Sequence, residues 1–124
     1  MRIVLAIYLF VHGFSHIVGF VVPWRIAKLE EAPYKTTILG DLVNVGDIGI
    51  RIIGIIWLLT AMAFFYVGIG IIIQISDWEL LTILITIFSL VLCFVGWPDA
   101  RIGVFANLVV FIFLFLNSRL GWLL

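Results

Sequence analysis

Tyr8-Leu9-Phe10-Val11-His12-Gly13-Phe14-Ser15-His16-Ile17-Val18-Gly19 holds both histidines of the chain inside an apolar run covering residues 3–22. A run of about 20 apolar residues is what an α-helix needs to cross a bilayer. Helical spacing of three and four stacks Tyr8, His12, Ser15, His16 and Gly19 on one face. Polar groups at membrane depth are costly unless they meet partners within the protein, so this face is expected to point inward.

Three more apolar runs follow, at 47–73, 80–97 and 102–119, and together the four use up most of the 124 residues. The chain is 65% hydrophobic and 11% charged, with mean hydropathy +1.35. A soluble domain carries roughly twice that share of charge. The expected fold is therefore all-α: one domain, a four-helix bundle integral to the membrane and threaded up-down-up-down, because the later links are short. Seven basic residues balance seven acidic ones, which removes any argument for nucleic acid. Cys93 is the single cysteine, so no internal disulfide can form and redox compartment is not readable. The first run ends in Val21-Val22-Pro23-Trp24 without a small-x-small cleavage pattern, so it reads as an uncleaved span.

The one long connection, 25–45, opens Arg25-Ile26-Ala27-Lys28-Leu29-Glu30-Glu31. Its Ile26/Leu29 pair beside cations suits a short helix lying on the headgroups, and a solvated loop suits it equally. In the second run Asp47 and Arg51 stand four apart, which favours a structural pair. In the third, Thr82, Thr86, Ser89, Cys93 and Gly96 form a seam of small residues, whose default role is close helix packing. Trp97-Pro98-Asp99-Ala100-Arg101 is a turn in which Asp99 can cap the fourth helix. Asn117, Ser118, Arg119 and Trp122 mark the far interface.

Arg25, Lys28, Lys35 and Arg101 share one side, whereas Arg2 and Arg119 share the other. The positive-inside bias then makes the first and third connections cytoplasmic and puts both termini outside. In this frame His16, Arg51 and Asn107 lie at similar depth on three helices, with Asp47, Asp99 and Arg101 at the rim and His12 one turn deeper. The expectation is a small polar ligand-binding cavity formed by Tyr8, His12, His16, Asp47, Arg51 and Asn107. His16 should sit within hydrogen-bonding or one-water reach of Arg51 or Asn107, and a neighbouring guanidinium would keep its imidazole neutral. The bland alternative is a satisfied network in which Asp47 neutralises Arg51 and the histidines bond hydroxyls and carbonyls.

Histidines four apart can form half of a metal site, with Asp47, Asp99 or Cys93 as the third ligand. The intervening Gly13-Phe14-Ser15 offers no adjacent glutamate base, so metal and cofactor stay unassigned. Haem held by two histidines from opposing helices is excluded within one chain, since both lie on one face. No carboxylate pair, Ser-His-Asp arrangement or glycine-rich phosphate loop occurs in the spans.

Arg2, Phe10 and Gly13-Phe14-Ser15-His16-Ile17 resemble the first-helix pattern of the DoxX-like family of small bacterial four-helix membrane proteins, with His16 where that pattern has lysine. The resemblance implies a four-helix bundle in a bacterial cytoplasmic membrane and, in some members, a place as the small membrane subunit of quinone-linked oxidoreductases. Without a complete catalytic set, the first expectation is an accessory or structural subunit in the bilayer, joined to like chains or to a larger complex. Phe105, Phe111, Phe113 and Phe115, spread around the last helix, suit either lipid or such a partner. The alternative is a membrane-embedded site for a quinone, a lipid or a metal.

Overall fold

Within each long apolar run the backbone has few polar partners beyond itself, and the turn signals at Pro23, Gln74–Asp77 and Pro98 punctuate the chain. A computed structural model describes residues 1–121; Trp122 lies outside the described residues. Helix α1 is Arg2–His16 and continues after Ile17 as the single turn α2, Val18–Val21. Two short strands, β1 (Thr37–Ile38) and β2 (Val43–Asn44), pair antiparallel. The long helices α3 (Gly46–Ile73), α4 (Trp78–Val95) and α5 (Arg101–Leu120) complete the chain. Four segments are long and apolar enough to cross a membrane: Arg2–Val21, Gly46–Ile73, Trp78–Val95 and Arg101–Leu120.

The expected boundaries shift in two places. The first helix tightens after His16, where Ile17 N–H bonds Phe14 O at 3.1 Å instead of reaching back a full turn. Just before that point the His12 carbonyl accepts both the Ser15 hydroxyl and the His16 ring, and side chains bonding to the helix ladder commonly bend it. Helix α4, the third expected span, starts at Trp78 and stops at Val95, with a cis Trp97–Pro98 peptide in the turn that follows. No helix forms over residues 25–31. Two turns with one apolar pair bury too little to offset helix nucleation. The chain there is irregular, and the hairpin after it is pinned to the end of α4 through Leu39 N–H to Val95 O (2.8 Å) and Gly40 N–H to Trp97 O (3.0 Å).

Helix α1 packs along α3 with a descending register. Phe10 meets Gly68, Gly13 meets Phe64 and Ala61, Gly19 meets Trp57, and Trp24 meets Gly54. Gly13 is there for closeness: a Cβ would come within 2.8 Å of Phe64 Cβ and 3.1 Å of the Ala61 carbonyl. Between α4 and α5 the register also descends, from Glu79–Asn117 (3.2 Å) to Ser89–Asn107 (3.0 Å). Leu5, Ala6, Leu9, Phe64, Val67, Ile71 and Val110 make one buried apolar cluster at the Arg2 end of the bundle. His12, His16, Ser89 and Asn107 lie beyond it, toward the long connection.

Candidate functional site

Four side chains from three helices close a ring of hydrogen bonds above the apolar cluster. His16 Nδ1 lies 2.8 Å from the His12 carbonyl, which can only accept, so Nδ1 carries the proton. That leaves His16 Nε2 in the neutral ring as an acceptor, and the Ser89 hydroxyl donates to it at 2.6 Å. Asn107 Nδ2 donates to Ser89 Oγ at 3.0 Å and reaches Cys93 Sγ at 3.6 Å. Its oxygen then faces His12, whose Nε2–H donates to it at 2.9 Å. Two neutral imidazoles in opposite tautomers thus match every one of these donors to an acceptor. His16, Ser89 and Asn107 are all fully buried. A low-dielectric interior strengthens such a circuit and makes any broken link costly.

Aromatic rings hold the histidines in place. Their own rings meet edge to face at 4.6 Å, Phe64 packs against both at 4.9 and 5.2 Å, and Trp57 lies 5.1 Å from His16. Tyr8 stacks on His12 at 6.3 Å, while its hydroxyl leaves the ring of bonds and donates to Ala106 O at 2.9 Å.

On the side of the long connection the circuit borders a cavity of about 430 Å³. His16 and Cys93 reach it from the bundle; Val18, Val22, Ile53, Trp57 and Ile102 are among its walls; Glu31, Lys35 and Asp99 are its charged lining residues. Lys35 Nζ stands 3.0 Å from Asp99 and 3.9 Å from Asp41. Sites for small organic molecules are commonly about 300–1,000 Å³, with apolar walls and a few polar groups.

The structure therefore brings together Tyr8, His12, His16 and Asn107, and separates them from Asp47 and Arg51. Arg51 is exposed, with its guanidinium 5.7 Å from the Trp24 ring, and its carbonyl accepts the Trp24 indole N–H at 3.0 Å. The inward stripe of α3 runs through Ile50, Gly54 and Ala61, so residue 51 is turned about 100° away from it. Asp47 does not pair with Arg51 either. It accepts the Tyr34 hydroxyl and lies 3.5 Å from Arg25, in a surface pair. His16 thus lacks the guanidinium neighbour expected of it, and it reaches Asn107 through the Ser89 hydroxyl. Asn107 itself lies beneath the cavity, outside its lining. Of the rim residues, Asp99 lines the cavity but caps nothing, since Ala100 occupies the cap position of α5. Arg101 is exposed and away from the lining.

Ser89, Cys93, Trp57 and Lys35 enter the site unannounced. Ser89 was legible only as a member of the small-residue seam, and Cys93 as a seam member and a possible third metal ligand. Thr82 and Thr86 of that seam turn their hydroxyls back onto their own helix, to Trp78 O and Thr82 O at 2.6 Å each. Ser89 instead bonds two other helices. From Thr82 to Cys93 the seam is buried inside the chain itself.

Among the described residues no three His, Cys, Asp or Glu side chains gather around one point, so the half-site His12/His16 gains no third ligand from that set. Both Nε2 atoms are also engaged, one on Asn107 and one on Ser89. No family model, characterised protein or solved structure matches the chain.

Proposed function

We propose that the chain is a membrane-embedded binding protein for a small amphiphilic molecule. One observation carries this reading: a cavity of about 430 Å³ that joins apolar walls to the His16 end of a satisfied polar circuit and to a charged lining at Glu31, Lys35 and Asp99. The apolar body of the ligand lies among Val18, Ile53, Trp57 and Ile102, and its polar end meets the charged groups. A quinone or a lipid fits this description; a metal would have to displace existing hydrogen bonds.

In this reading the four long helices cross the membrane up-down-up-down, which the descending registers of α1 on α3 and of α4 on α5 support. The excess of Arg25, Lys28, Lys35 and Arg101 puts the cavity mouth on the cytoplasmic side of a bacterial inner membrane and both termini outside. The first-helix motif keeps a DoxX-like kinship within the proposal. Self-association is part of it only through the lipid-facing aromatics of α5, because the α4 seam is already used internally.

Native mass spectrometry from mild detergent tests the site. Wild-type protein should retain a small molecule, and Val18→Trp, which fills the cavity from a half-buried wall position, should lose it. Repeated preparations with nothing bound, or equal retention by the filled variant, would overturn the reading.

A further inference from the structure

The roof of the cavity is an irregular stretch of the long connection, residues 28–35. Leu29, Glu31, Ala32, Pro33, Tyr34 and Lys35 all line the space beneath it. Among the described residues, none of 28–35 makes a main-chain hydrogen bond to another main-chain group. The chain is well tied on both flanks: Ile26 and Ala27 N–H bond Val21 O, and Thr36 O accepts Val45 N–H at the base of the pinned hairpin. Between those anchors two side-chain bonds reach the bundle among the described residues, and the Arg25 guanidinium also lies 4.5 Å from the Tyr34 ring. Tyr34 hydroxyl donates to Asp47 in the first turn of α3, and Lys35 bonds Asp99 at the turn before α5.

Segments with few backbone hydrogen bonds and exposed ties open at low free-energy cost. We propose that residues 28–35 are a strap whose opening admits ligand to the cavity, with Tyr34–Asp47 and Lys35–Asp99 as its two latches. This rests on the binding reading given above and adds the route of entry and its control. Each latch is partly exposed, with Lys35 and Asp99 side chains both 29% accessible, so each holds the closed form only modestly. The flanking anchors stay fixed while the strap moves, so the helices need not rearrange.

Cys93 reports on this directly, because the only thiol of the chain borders the cavity and is itself buried. The measurement is the rate of alkylation of the full-length protein by N-ethylmaleimide, a small uncharged probe, in mild detergent, with Cys93→Ala as the blank. Lys35→Met and Tyr34→Phe should each raise the rate about two- to fivefold, and the double variant about tenfold, the size expected for removing weak, independent ties. Tyr34→Phe loses only a hydroxyl on an exposed contact, so it keeps the test sound if Lys35→Met folds badly. Equal rates in wild type and in Tyr34→Phe would overturn the strap while leaving the cavity standing, since the thiol would then be reached by another route. No alkylation in any version would overturn the strap as a route to the cavity, and ligand retention in native mass spectrometry would then decide the binding reading by itself.

Discussion

The two ends of this bundle solve the same problem, buried backbone and polar groups without water, in opposite ways. Toward Arg2, α1, α3 and α5 meet through Leu5, Leu9, Val67, Ile71 and Val110, and the nearby α4 hydroxyls of Thr82 and Thr86 bond their own helix. Polar contact between helices stands at the margin of that end, as Asn117 to Glu79 does at 3.2 Å, and not within the cluster itself. Toward the long connection, His12, His16, Ser89 and Asn107 bond across three helices and stand beside a cavity. The first end can repack with modest loss as long as volume is kept. The second is specified by direction: each donor has one acceptor, so a single deletion orphans its neighbours.

Phe64 stands where the two ends meet, and its removal should have the largest effect. Its side chain is buried in the apolar cluster and touches both imidazoles. Phe64→Ala should cost about 3–5 kcal/mol, read as loss of folded protein on heating in detergent. Retention of wild-type stability would show that the two ends are not coupled through this ring. Asn107→Leu comes next. It keeps the volume but strips His12 and Ser89 of their partners, for an expected loss of about 1–3 kcal/mol. The smaller Asn107→Ala losing less than the isosteric change would argue against hydrogen bonding as the cause.

The contrast can be sharpened on one helix. Thr86→Val replaces a hydroxyl that serves only the carbonyl of Thr82, so stability should change by less than about 0.5 kcal/mol. Ser89→Ala, less than one turn away, removes the donor to His16 and the acceptor of Asn107 and should cost about 1–2 kcal/mol. Interhelical bonds measured in membrane proteins average nearer 0.6 kcal/mol, so the two variants are best compared in one detergent by one method. Equal losses would mean that hydroxyl direction does not distinguish the ends.

Periodicity made the four helices and the inward face of Tyr8, His12 and His16 legible, because apolar runs and i, i+4 spacing are local properties. Depth counting also brought Asn107 to the level of His16, and the two are joined through one hydroxyl. It could not give rotation. Arg51 has the same depth as His16, yet the inward stripe of α3 is set by Ile50, Gly54 and Ala61, which leaves residue 51 outside. Ser89 was hidden for a different reason: on paper its hydroxyl is equivalent to those of Thr82 and Thr86, and only the neighbour across the helix decides which way each one bonds. The strap over the cavity was invisible because residues 28–35 follow no period at all; their place comes from anchors on either side.

The smallest effect should come from the residue that depth alone made most prominent. Arg51 is exposed, and its guanidinium rests near the Trp24 ring at 5.7 Å without a carboxylate partner among the described residues. A cation over an aromatic face at an exposed site is worth about 0.5–1 kcal/mol, part of which glutamine recovers through packing of its stem. Arg51→Gln should therefore shift stability by no more than about 0.5 kcal/mol and leave ligand retention in native mass spectrometry unchanged. The Trp24 indole bond would survive, because its acceptor is the main-chain carbonyl of residue 51. Were Arg51 instead the buried counterpart of Asp47 and His16, its loss would leave a buried carboxylate unpaired and cost about 3–5 kcal/mol. The two outcomes differ by enough for one melting curve to decide whether the polar end of the bundle stops at Asn107 or reaches to α3.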